Sequence, residues 1–113
     1  MEPLVEKEET KEKENEIGVY IHQLSKPVKI GKEEFTSLEF RFNQLTGADI
    51  EAIEEELQDQ NRYVLSPEIS SAFQTILAAK AAGIPSFIIR DLPVIDYMKI
   101  KNKARDFLAG VGY

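Results

Sequence analysis

Few side chains in this sequence have the types and spacing that catalysis or metal binding requires. His22 is the only histidine, and it falls within a predicted strand, so we expect a surface or edge role rather than a catalytic or metal-binding one. Ser66, Ser70 and Ser71 have no histidine at a spacing that would activate a nucleophile, and helix capping accounts for them. The consecutive glutamates at positions 54–56 point in different directions around a helix and do not converge on a metal ion.

Two other kinds of site are missing from the pattern. The six glycines are scattered along the chain and form no phosphate-binding loop. An acyl carrier protein needs a serine directly after an aspartate at a helix start, but neither Asp49 nor Asp91 is followed by serine. The sequence therefore predicts a protein that is not an enzyme, with no catalytic residues, no metal site and no cofactor.

Residues 78–92, AAKAAGIPSFIIRDL, have the spacing of two helices joined by a glycine-centred turn. In a helix-turn-helix regulator the second helix contacts base edges, which favour Asn, Gln, Arg and Lys. Here that helix would present Phe87 and Ile88, and its single arginine, Arg90, is offset by the aspartate that follows. Basic residues further along could still contact phosphates: Lys99, Lys101, Lys103 and Arg105. A small DNA-binding regulator using residues 75–92 is therefore the alternative function.

The apolar side chains around this turn are better suited to contact another protein. Residues 87–89 are consecutive and apolar, so one helix face cannot bury all three. Ile95 and Met98 lie off the main apolar stripe of the last predicted helix. Two interpretations remain open: a larger core covers these side chains, or they form an exposed patch that binds a protein. For the second interpretation the candidate contact residues are Phe87, Ile88, Ile95 and Met98.

Composition and charge indicate one small domain after an acidic segment. The chain has 113 residues and a net charge of −6, which is enough for a single modest core. Residues 1–16 hold seven acids and three lysines, and so few aliphatic side chains that we expect a disordered acidic tail, with a solvated helix as the alternative. Residues 17–65 carry a further net charge of −4, whereas residues 66–113 carry +2.

Neither cysteine chemistry nor a membrane anchor is predicted. The chain has no cysteine, which fits a reducing compartment. No stretch approaches the ~18 apolar residues that cross a bilayer, and the acidic N-terminus lacks the apolar core of a signal peptide. We expect a soluble intracellular protein.

Periodicity predicts an α+β fold for residues 17–113, taken as a single domain. A small N-terminal antiparallel β-sheet of two to three strands is expected from alternating residues at 18–24, 27–30 and 35–42. A compact bundle of three to four helices is expected to follow, at about 47–59, 67–82, 86–91 and 93–109. Thr46 with Asp49 forms a near capping box for the first helix, and Ser66 is the expected N-cap of the second.

Two stretches resemble a known family, the tail assembly chaperones of contractile-tailed (Mu-like and P2-like) bacteriophages. The first is QLSKPVKIGKEEFTSLEFRF, followed by Gly47 and Asp49 at a helix start. The second is AAKAAGIPSFIIRDLPVIDYMKIKNKARDFL, with Asp96 and Tyr97 after the glycine turn. The similarity covers about residues 19–108 and leaves the acidic tail outside.

The resemblance implies a non-enzymatic chaperone that works during virion assembly. It would act in the host bacterial cytoplasm, bind the tape measure protein, help to recruit tail tube subunits, and be absent from the mature virion. Related phages often make a longer chaperone by ribosomal frameshifting, and codons for Phe107 and Leu108 are compatible with a slippery site. Besides the DNA-binding alternative, a weaker one is an acidic decoy in which residues 1–59 compete with nucleic acid for a basic partner.

Overall fold

The computed structural model describes residues 17–61 and 70–112, and it has the predicted α+β architecture. Two antiparallel strands form a hairpin, and helices follow. The elements are β1 (Val19–Ile30), β2 (Glu33–Arg41), a 3-10 turn (Phe42–Gln44), α1 (Gly47–Asp59), α2 (Ser71–Ala82), α3 (Ser86–Arg90) and α4 (Val94–Gly110). The acidic tail at residues 1–16 lies outside the described residues.

The hairpin is one long ribbon, because the expected short strand at 27–30 continues β1 instead of forming a third strand. Pairing runs from Val19 opposite Arg41 to Ile30 opposite Glu33, and Gly31 makes the turn in the left-handed region at φ 65°. The register shifts between Gln23 and Val28. Pro27 falls in this interval and has no N–H for the ladder, so an irregularity there is expected.

Side-chain caps mark the starts of α1 and α2. Thr46 and Asp49 form the full capping box of α1. For α2, Ser70 has extended backbone and its Oγ accepts from the Phe73 N–H, so the helix begins at Ser71; the predicted start at 67 lies outside the described residues. A second capping serine lies closer to the apolar row than Ser66, which is outside the described residues. Gly83 ends α2 in the left-handed conformation, at φ 71°.

Helix α2 lies at the centre of the core. Every residue from Phe73 to Ala79 is buried, and α2 packs against β2, α1, α3 and α4. Burial on every side is typical of a helix that has neighbouring elements all around it. The other large, fully buried apolar side chains come from the surrounding elements: Phe40, Ile53, Leu57, Ile89, Ile100 and Leu108.

Helix α4 lies along β1 and packs against α2 with a row at every fourth position. That row is Asp96, Ile100, Ala104 and Leu108. Val94 and Val111 are exposed, because Val94 lies off this row at the first position of α4 and Val111 is the C-cap residue beyond its end. Towards its C-terminal end the helix adds Phe107 to a row of stacked rings, Tyr20, Phe40 and Phe42. None of the helices in residues 17–61 and 70–112 is both long and apolar enough to cross a membrane.

Candidate functional site

Three of the four predicted contact residues are exposed apolar side chains. Phe87 on α3 is 57% exposed, and Ile95 and Met98 on α4 are 56% and 42% exposed. Ile88 is the exception: it is only 9% exposed. The short helix α3 turns Ile88 and Ile89 towards the core, so Phe87 alone of the three consecutive apolar residues faces outward.

Val94 is a further exposed apolar side chain at the start of α4, beside Met98. It is 72% exposed and lies at the first position of α4, one residue before Ile95 and four before Met98. On a helix Met98 is a neighbour of both, since it lies four residues after Val94 and three after Ile95. We call Phe87, Val94, Ile95 and Met98 the exposed patch. The sequence contains a signal for the exposure of Val94: the buried row begins at Asp96 and repeats every fourth residue, and Val94 does not fall on it.

Directly behind the patch, on the opposite side of α4, lies a buried polar cluster. The Asp96 carboxylate accepts a hydrogen bond from His22 Nε2 at 2.7 Å and one from Ser25 Oγ at 2.6 Å. The Ser25 backbone N–H donates to the same carboxylate at 3.1 Å. Ser25 lies in the irregular part of β1, where the ladder with β2 is interrupted. Because the ladder is interrupted there, the Ser25 N–H is available to donate to the Asp96 side chain on α4.

His22 occupies a different place from the one predicted. It is 3% exposed, not at the surface, because the strand turns this residue towards α4. With Nε2–H donating to Asp96, Nδ1 accepts from the Tyr20 hydroxyl at 2.7 Å. Sequence reasoning missed the pair because 74 residues separate its members. An aspartate on an otherwise apolar helix row was the available signal.

The cluster anchors α4 to β1 and is not arranged as a catalytic triad. In a triad the serine hydroxyl contacts the imidazole and the carboxylate contacts its other side. Here the Ser25 hydroxyl donates to Asp96, and the second imidazole nitrogen is occupied by a tyrosine hydroxyl. A further polar link, between Thr75 Oγ1 and the Tyr97 hydroxyl at 2.9 Å, joins α4 to α2. These contacts fix the orientation of the first turns of α4, which carry the patch.

Asp96 is held in its charged form. Burial raises the pKa of its carboxyl, but the hydrogen bonds from Ser25 and His22 lower it by more, so that the pKa lies below its ordinary value of 3.8. Within residues 17–61 and 70–112 no group of three or more His, Asp or Glu side chains is placed to hold a metal ion.

The turn at Gly83 joins two helices, as a helix-turn-helix motif would require. The second of them, α3, has only five residues, two of which are buried. Arg90 is its one basic side chain, and the other prominent exposed one is Phe87. This helix therefore offers base edges few hydrogen-bonding groups.

A comparison with known protein families identifies this architecture. The family model described as phage tail assembly chaperone proteins, E, or 41 or 14, matches residues 22–109. No curated protein and no solved structure matches the chain significantly. The matched region begins in β1 and ends in the last turn of α4, so it contains the polar cluster and the exposed patch. This chain therefore belongs to the phage tail assembly chaperone family.

Proposed function

We propose that this chaperone binds the tape measure protein of its phage through the exposed patch, and that it assists the recruitment of tail tube subunits during tail assembly. The observation that carries the proposal is the exposure of four apolar side chains on two successive helices, over a helix anchored to the sheet. An anchored apolar surface can cover an apolar stripe of a helical partner without first having to order itself. The role requires no enzymatic activity, and the chaperone would act in the host cytoplasm and leave before the virion is complete.

Co-expression with the tape measure protein tests this proposal. The chaperone should keep that client in the soluble fraction, and the double variant Phe87→Asp/Ile95→Asp should lose most of this effect. Both side chains are exposed, so the variant should fold normally, which a circular dichroism melt checks.

A matched control uses exposed apolar side chains elsewhere. Ile17→Asp/Val111→Asp makes the same chemical change at two positions that are 91% and 62% exposed, and it should retain activity. A folded patch variant that still solubilises the client would disprove the choice of surface, and a wild-type chain without effect on the client would disprove the function.

A longer frameshifted form of the chain is a second product we propose. Leu108 is the last residue of the buried row of α4, so a change of reading frame after it would preserve the core described above. Mass spectrometry of the products of the intact gene region tests this, since a longer chain should share the peptides before residue 107. A single product from that region would refute it.

A further inference from the structure

Positive charge is concentrated beside the exposed patch, although the chain as a whole is acidic. The basic residues of α3 and α4 are Arg90, Lys99, Lys101, Lys103 and Arg105. Of the two acids on α4, Asp96 is buried and Asp106 is exposed, with Arg105 at 3.6 Å. The acids of the described helices lie mainly on α1, whose exposed face includes Glu51, Glu54, Glu55 and Asp59. Most positive charge of the described helices therefore lies on α3 and α4 and most negative charge on α1, with the exposed Asp91 and Asp106 as the acids at the ends of α3 and α4.

On α4 the basic residues flank an exposed seam. Ile95, Met98, Asn102 and Ala109 recur at intervals of three, four and seven on the side of α4 away from the buried row; Asn102 is half-buried and the other three are exposed. Lys99 lies on one flank of this seam and Arg105 on the other. Lys103 lies further round on the Lys99 side, where its ammonium is 5.1 Å from the centroid of the Tyr20 ring, and Lys101 is half-buried on the Arg105 side. From Ile95 to Ala109 the seam is about 21 Å long at the helical rise of 1.5 Å per residue. Its first half, Ile95 and Met98, is apolar and has basic side chains beside it; the second half is Asn102 and Ala109, with the exposed Asp106 beside it.

We infer that the segment bound here is an acidic amphipathic helix: an apolar stripe at helical spacing, with Asp or Glu on both sides of it. The inference rests on the proposed function and specifies the chemistry of the client segment. A client helix laid along α4 would cover Ile95 and Met98 with its stripe and bring its acids next to the basic flanks. Such charge complementarity sets the partner and its orientation and raises the association rate.

Two other possible binding partners, a second copy of the chain and duplex DNA, match only part of this surface. In a second copy of the chain, α1 has the right charge, but its exposed positions carry Glu, Asp, Gln and Ala and offer no apolar stripe to Ile95 and Met98. Duplex DNA would use the basic flanks, because phosphates attract Lys and Arg, but it would leave Ile95, Met98 and Phe87 without partners. An acidic helix with an apolar stripe uses both features.

Two synthetic helical peptides of about 16 residues, long enough to span the seam, test the inference with the full-length chain. Both carry leucines at the same stripe positions; one has Glu at the flanks and the other Lys. Fluorescence anisotropy should show the acidic peptide binding at least about tenfold more tightly at low salt, from several facing charge pairs. The preference should shrink at high salt, because exposed charges are screened.

Variants separate the two halves of the inference. Arg90→Glu/Lys99→Glu should reverse the preference between the peptides. The control variant Lys29→Glu reverses the charge of an exposed side chain on β1, outside α3 and α4, and should leave the preference unchanged. Ile95→Asp should weaken binding of both peptides. Equal binding of the two peptides, or tighter binding of the basic one, would overturn the inference. So would a chain that does not bind the acidic peptide but binds duplex DNA both with and without the Ile95→Asp substitution.

The outcome is distinguishable from failure of the proposed function. If the chain solubilises its tape measure protein through the patch but does not prefer acidic flanks, the proposed function stands and this inference is wrong. If the Phe87→Asp/Ile95→Asp variant still solubilises the client, the proposed binding surface is wrong, whatever the result with the peptides.

Discussion

Removal of the Asp96 carboxylate should cost this small domain a large part of its stability. The side chain is 2% exposed and accepts hydrogen bonds from the His22 ring and from both the backbone and the side chain of Ser25. Each hydrogen bond to a charged group contributes about 1.5–3 kcal/mol, and removing the acceptor also leaves its buried donors without a partner, which brings the total cost to about 3–5 kcal/mol. Asp96→Ala should therefore lower the free energy of unfolding by about 3–5 kcal/mol.

Urea unfolding followed by circular dichroism measures this change. Asp96→Asn keeps the shape and one acceptor oxygen and should cost less, about 1.5–3 kcal/mol. Asp106→Asn is the matched control on the same helix: its carboxylate is exposed and 3.6 Å from Arg105, so a loss within about 0.5 kcal/mol is expected. A loss below about 1 kcal/mol for Asp96→Ala would refute the anchoring role derived from these distances.

Three further predictions concern pH, packing and backbone conformation. Because the pKa of Asp96 is lowered in the folded state, its contribution to stability is complete above the ordinary value of 3.8 and is lost as pH falls below it; urea titrations between pH 2 and 6 should show a smaller decrease for Asp96→Asn than for wild type. Phe40→Ala empties a fully buried site in the ring stack and should cost about 3–5 kcal/mol by the same method. Gly83→Ala places a Cβ at φ 71°, where space is available but the conformation is unfavourable, so its melting curve should indicate a loss of about 1–2 kcal/mol.

Local patterns predicted the elements well, because local physics determines them. The capping box at Thr46, the left-handed end at Gly83 and the alternation in β2 each depend on residues a few positions apart. The N-cap of α2 is Ser70, which the capping rules did not distinguish from the neighbouring serines.

Contacts between distant segments were beyond the reach of these patterns. The burial of His22 depends on Asp96, and neither residue alone distinguishes a surface position from a paired one. The sequence left open whether the apolar run 87–89 belongs to the core or to the surface. The outcome depends on which side of α3 meets the core: Phe87 is exposed and Ile88 is buried.

The polar anchor also explains why α4 has one orientation when its sequence allows more. Apolar residues occur all around its first two turns, at Val94, Ile95, Tyr97, Met98 and Ile100, so burial alone does not select one face. A buried carboxylate that must reach His22 and Ser25 does select it, since rotation would leave the charge unpaired. Buried pairs of this kind are often poor contributors to stability compared with apolar side chains of similar size.

The double variant His22→Leu/Asp96→Leu separates stability from orientation. We expect its free energy of unfolding to equal or exceed that of wild type, by about 0–4 kcal/mol, while α4 loses the restraint that keeps Ile95 and Met98 outside. Because the chain contains no cysteine, an added Ile95→Cys provides a single thiol whose rate of labelling reports on exposure at that position. Slower or biphasic labelling in the double variant, with rapid single-phase labelling in the otherwise wild-type chain, is the expected result. Unchanged labelling kinetics would show that apolar packing alone orients α4, and the anchor would then have no role in presenting the patch.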